Sequence, residues 1–131
     1  LSGAGAIRST AEDMLSYLEA NLHPDQLRPE GGTAAARTIA AALTSQHVLR
    51  ADAGPSMRIG MAWLHFNDDG PYWHNGATGG YSSYAFFSPE CDCAAVVLVN
   101  TAPGAGGGYA DRVGEHIYQR LTGKAALSLA H

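Results

Sequence analysis

The sequence predicts an α+β domain, an antiparallel sheet of about four strands flanked by helices. Apolar residues recur at helical spacing near both ends of the chain, whereas between residues 57 and 99 they alternate or run continuously. The strand-like segments are joined by connections too short for a crossover helix, so they should form an antiparallel meander with one face left for the helices to cover. With 131 residues, 46% hydrophobic and 15% charged, the chain has material for one core and not two.

In order, "STAEDMLSYLEANL" (9–22) offers Ser9 as N-cap, Glu12 as the return half of a capping box, and Met14, Leu15, Leu18 and Leu22 along one helical stripe. "HPDQLRPEGG" (23–32) reads as a surface loop. "TAAARTIAAALTSQ" (33–46) is a second helix whose alanines permit close packing, with Ile39 and Leu43 four apart. "RADAGPS" (50–56) is a linker. "MRIGMAWLHF" (57–66) puts Met57, Ile59, Met61 and Trp63 on one face of a first strand, "NDDGP" turns, and "YWHNG" (72–76) returns. "YSSYAFF" (81–87) is a third strand. "AAVVLVN" (94–100), continuous in apolar residues, is a fourth that should be buried on both faces, and "SPECD" joins the two. After the glycine-rich "TAPGAGGG", "YADRVGEHIYQRL" (109–121) spaces Val113, Ile117 and Leu121 four apart, and Gly123 stands where a helix stops.

Several function classes drop out. Net charge is −4 and the seven arginines and one lysine are scattered, so no nucleic-acid partner is expected. The longest apolar run, "AAVVLV", is far short of the roughly 20 residues of a membrane span. The chain opens on Leu1 with no signal-peptide pattern, and reads as cut from something longer. Cys91 and Cys93 are too close for an easy disulfide and too few for structural zinc, so two incidental thiols are expected. The six histidines show no metal-ligand spacing, and neither metal nor cofactor is expected. Asp68 and Asp69 fit a turn better than a catalytic pair. Glu115 and His116, adjacent on a helix, point apart. Trp63, Tyr72 and Trp73 suit core and hairpin roles, with an aromatic wall beside a cleft as the alternative.

"HNGATGGYSSY" (74–84) carries the chemistry. A glycine-rich segment that cradles phosphate needs a helix after it, and here a strand follows. One reading is a tight hairpin that uses Gly79 and Gly80. The other is a substrate edge: His74 as proton carrier or cation, Gly76 admitting a close approach, and the next backbone amide donating to developing negative charge.

The run "HNGATGGYSSYAFFSPECDCAAVVLVN" resembles the third active-site motif and following strands of the penicillin-recognising serine hydrolases, which include class C β-lactamases, D-alanyl-D-alanine peptidases and related esterases. "GAGAIRSTAEDMLSYL", "MRIGMAW" and "YADRVGEHIYQRL" are similar to further elements of that family, and the match spans nearly the whole chain. The resemblance implies that His74 stands at the motif lysine, that Asn75 replaces its threonine as a partner for a substrate carboxylate or carbonyl, and that Gly76 leaves room for the acyl group. It implies further that the Ala77 N–H is one of two oxyanion donors and that Asn100 approaches the substrate end of the cleft. Histidine in place of lysine favours a peptidase or esterase over a penicillin-specialised enzyme. The family also suggests a periplasmic or secreted setting.

Lys124 is the only lysine and Leu121 lies three before it, so the family's Ser-x-x-Lys nucleophile is absent from this sequence; no tyrosine or serine has asparagine two places on. The expectation is therefore a C-terminal portion, residues 1–131, of an acyl-serine hydrolase, inert alone toward the acyl substrate (β-lactam, D-Ala peptide or ester) that its full-length form would take. Loss of one oxyanion donor costs roughly 10²- to 10³-fold, but loss of the nucleophile unit about 10⁶-fold. An excised portion should expose a sheet edge and self-associate or pair with the rest of its parent. The alternative function is a non-catalytic domain that binds a partner through the sheet edge near 74–80.

Overall fold

The structure, a computed structural model, describes residues 3, 5–27, 32–66, 70–103 and 108–130. Asn67, Asp68 and Asp69 of the predicted turn, part of the 23–32 loop, residues 104–107 of the glycine-rich link, Leu1 and His131 lie outside them.

Three helices and six strands form the predicted α+β arrangement: α1 (Ala11–Leu22), α2 (Thr33–His47), β1 (Ala51–Gly54), β2 (Met57–Ile59), β3 (Leu64–Phe66), β4 (Tyr72–Thr78), β5 (Tyr81–Ser88), β6 (Cys93–Val99) and α3 (Tyr109–Leu121). The sheet is an antiparallel meander in the order β1-β2-β3-β4-β5-β6. It is larger than the expected four strands for two local reasons. The linker at 50–56 contributes β1, which pairs with β2. The segment 57–66 is a hairpin rather than one strand: Gly60 N–H donates to the Trp63 carbonyl, Met61 N–H to Gln46, and Ala62 takes a left-handed φ of 76°. A Cβ on Gly60 would collide with the Gln46 carbonyl, so α2 can seat the turn only because that residue is glycine. The predicted apolar face breaks there, leaving Trp63 6% exposed and Met61 55% exposed.

Thr10, not Ser9, caps α1, its Oγ1 accepting from the Asp13 N–H at 3.1 Å. The capping pattern is displaced by one residue because Thr10 adopts the extended backbone that an N-cap requires. Gly123, at φ 71°, ends α3 as the sequence predicts.

Side chains alternate across the sheet, dividing the core in two. On one face Tyr72, Ala85 and Phe87 meet Trp63 and the Met14, Leu18 and Leu22 stripe of α1. On the other, Trp73, Tyr84 and Phe86 meet Ala110, Ile117 and Tyr118 of α3. Phe86 and Phe87, consecutive and fully buried, serve opposite faces; burying each is worth about 1.5–3 kcal/mol. A Cβ on Gly114 would overlap the Tyr84 ring, so this glycine lets α3 lie close on β5. The final strand packs on both faces as expected, Ala94 and Val96 against the α1-side core and Ala95, Val97 and Val99 against the α3-side core. As an outer strand of the sheet among the described residues it is only half-buried, with Leu98 48% exposed.

Asn21, 2% exposed, joins the first two helices: its Nδ2 donates to the Tyr17 carbonyl at 2.8 Å and its Oδ1 accepts from His47 Nε2 at 2.8 Å. The His47 ring lies 4.8 Å from Phe87, and burial lowers its pKa below the ordinary 6.5.

Cys91 and Cys93 form a disulfide, which corrects the expectation of separate thiols. Alternate residues of a strand are about 6.6 Å apart, but Asp92 between them has φ 49°, which folds the turn and brings the two Cα atoms to 5.2 Å. No helix of the described residues is long and apolar enough to cross a membrane.

Candidate functional site

The turn after the motif is two residues long. Gly79 and Gly80 have φ of 57° and 88°, the type I′ geometry that matches the twist of a two-residue hairpin. Thr78 and Tyr81 flank it as a hydrogen-bonded pair, so pairs alternate back along β4: Ala77↔Ser82 non-bonded, Gly76↔Ser83 bonded, Asn75↔Tyr84 non-bonded, His74↔Ala85 bonded. The backbone groups of Asn75 and Ala77 therefore point away from β5. On that side β3 pairs only with Trp73 and Tyr72, so from residue 74 onward β4 has no strand neighbour there among the described residues. Residues 74–78 are exposed.

His74 lies on the α1 face with Tyr72 and Gly76, and its imidazole bends to the open edge, where Nδ1 lies 2.6 Å from the Asn75 carbonyl oxygen. A carbonyl can only accept, so the proton sits on Nδ1 and Nε2 is left as the basic nitrogen of the neutral ring. Asn75 lies on the opposite face and turns toward α3, where its Nδ2 donates to Asp111 Oδ1 at 2.6 Å. Gly76 faces the Ser83 hydroxyl; a Cβ there would come to 3.2 Å of Oγ. The leading segment also comes near this end of the strand, since a Cβ on Gly5 would approach the Thr78 methyl to 2.7 Å.

His74, Gly76 and the outward amide of Ala77 thus share one edge, while Asn75 serves the other face. Asn100 is brought to the same end of the sheet but not to the same edge. It follows Val99, which pairs with Ser82 across β5 from Ala77, about two strand spacings or ~10 Å away. Ser82 holds that corner, its Oγ donating to the Thr101 carbonyl at 3.1 Å.

The residue that sequence reasoning missed is Asp111, 36 positions from its partner and in the first turn of α3. Its carboxylate lies where a Cβ of Gly108, the N-cap, would stand. With Glu115 it faces Tyr84, whose hydroxyl is pushed well above the usual phenol range by burial first and by the two carboxylates second. The aromatic alternatives divide: Trp63 is core, edge-on to Phe87 at 4.9 Å, while Trp73 stacks between Phe66 at 5.5 Å and Tyr84 at 5.5 Å beside a cleft of about 370 Å³ that Asp111 and Glu115 also line. Among the described residues no three histidine, cysteine or acidic side chains gather as a metal site would require.

Comparison with curated proteins returned no match. A family model described as Beta-lactamase matches residues 2–119, nearly the whole chain and every element from α1 into α3. This chain belongs to the beta-lactamase family.

Proposed function

We propose that the chain is the C-terminal portion of an acyl-serine hydrolase, contributing the His-Asn-Gly strand and one oxyanion amide to a site whose nucleophile comes from another part of the parent protein. The observation that carries this reading is the register of β4. It turns the Ala77 N–H outward, onto the edge where the imidazole of His74 also lies. A preorganised donor and a basic nitrogen beside an open strand suit a developing oxyanion and the proton transfers of acylation and deacylation. His74 moves the proton, Gly76 admits the acyl chain and Ala77 N–H holds the oxyanion. Asn75, which the resemblance would put on the substrate, ties the strand to α3 through Asp111 from the opposite face, and Asn100 lies off this edge. The substrate is a β-lactam, a D-Ala peptide or an ester. With no Ser-x-x-Lys in its sequence, the chain by itself is inert. Its outer strand β6, with Leu98 half-exposed, is where it self-associates or pairs with the rest of the parent, which size-exclusion chromatography reads directly.

A fluorophosphonate or penicillin probe, applied to this chain and to the natural product that contains it, tests the proposal. Covalent labelling of the longer form alone supports it. Labelling of neither favours the second reading, a binding domain that adds a partner's strand to the exposed 74–78 edge.

A further inference from the structure

We propose that Cys91–Cys93 is a redox-active disulfide that exchanges with small thiols of the glutathione class, an activity independent of acyl transfer. The bridge encloses one residue, Asp92, and sits where the β5–β6 ladder already pairs Ser88 with Cys93. The loop-closure term is smallest for so short a ring, so the bridge adds little to what the sheet already holds. A structural role is therefore weak, while access is good. Both cysteines are only half-buried, and Cys91 lines a pocket of about 480 Å³ together with Ser88, Glu90, Tyr118, Thr122 and Lys124.

That pocket has features suited to a thiol. Lys124, its ammonium 5.4 Å from the Tyr118 ring centroid, lines the same pocket as Cys91 and gives that pocket a positive charge, the kind of environment that favours a thiolate. Ser88 is 1% exposed, and its Oγ has no hydrogen-bond partner among the described residues. The Ser88 carbonyl oxygen, 3.9 Å from Cys91 Sγ, is an acceptor for the Cys91 thiol once the bridge opens.

The attacking thiolate forms a bond to Cys91 Sγ while the Cys91–Cys93 bond breaks, its electron pair leaving on Cys93, which takes a proton from water. A second thiolate attacks the first thiol's sulfur in this mixed disulfide and releases the Cys91 thiolate, which is protonated in turn. Two small thiols are oxidised to one disulfide and the protein disulfide is reduced to two thiols; oxidised glutathione drives the reverse. Opening the ring also frees Asp92, whose carboxylate contacts His23 Nε2 at 2.8 Å at the end of α1, so the His23 ring reports the redox state.

The test uses the full chain, alkylated with N-ethylmaleimide and weighed by mass spectrometry across a series of glutathione redox buffers at neutral pH. The expected result is no adduct on the air-oxidised protein, two adducts after equilibration with reduced glutathione, an unchanged far-ultraviolet circular dichroism spectrum, and a shifted His23 proton resonance. Cys93→Ser, which keeps Cys91, should form the glutathione mixed disulfide about fivefold or more faster than Cys91→Ser, because only Cys91 lines the pocket. Two adducts before reduction would overturn the proposal, as would resistance to glutathione until the protein unfolds, or equal rates for the two variants.

Discussion

The amide of Asn75 donates to the Asp111 carboxylate at 2.6 Å, binding the exposed end of β4 to the first turn of α3. A motif residue placed by the family resemblance at the substrate is thus held from the opposite face of the sheet. A hydrogen bond to a charged acceptor is worth about 1.5–3 kcal/mol when shielded, and this exposed one belongs near 1 kcal/mol. Asn75→Ala and Asp111→Ala should each lower the melting temperature by about 3–5 °C, as a scan by circular dichroism would show. Their double variant should lose little more than either single, because both remove one bond. Full additivity would mean the contact is not formed in solution.

The register makes a sharper claim about Ala77. Proline lacks the N–H, so it is tolerated in a strand only where that group points out of the ladder. Ala77→Pro should therefore cost at least ~2 kcal/mol less than Thr78→Pro, whose N–H lies in the bonded pair with Tyr81. Urea unfolding of the two variants measures the difference, and the reverse order would shift the register by one residue.

Helix α3 depends on Gly114. Alanine normally improves a helix interior by about 1 kcal/mol over glycine. Here the added methyl would meet the Tyr84 ring, 7% exposed and stacked on Trp73, and has nowhere to go. Overpacking should dominate, with Gly114→Ala destabilising by about 1–3 kcal/mol net in denaturant titrations. An unchanged or raised midpoint would place α3 farther from β5 than described.

His47 sets an acid limit on stability. Its pKa is lowered in the folded state by burial, so below about 6.5 the unfolded chain binds a proton that the folded chain resists. The contribution is complete above that pH and is lost as pH falls from there through the lower folded value. His47→Gln keeps a donor for Asn21 Oδ1 and removes the titration. Its stability should fall less steeply than the parent's between pH 6.5 and the lower folded value, measured by urea midpoints at stepped pH. Parallel curves would show that His47 ionises freely in the fold.

Much of this protein is local and was legible from residues close in sequence. The helical spacing of α1, α2 and α3, the runs of β5 and β6, the glycine hairpin at 79–80 and the absence of Ser-x-x-Lys depend on neighbours within a few positions, where periodicity and turn chemistry act. Even so, Leu15, Ile39 and Leu121 of the predicted helical stripes stay exposed. Other features needed the packed chain. Met57–Phe66 alternates like one strand, yet the Gln46 carbonyl takes the Met61 N–H and bends it into two. Cys91 and Cys93 became a bridge because Asp92 turned left-handed. Asn75 found Asp111, and Asn21 found His47, across 36 and 26 positions. A side chain's partner at such separations is chosen by which surfaces the sheet and helices bring together, and no spacing along the chain encodes that choice.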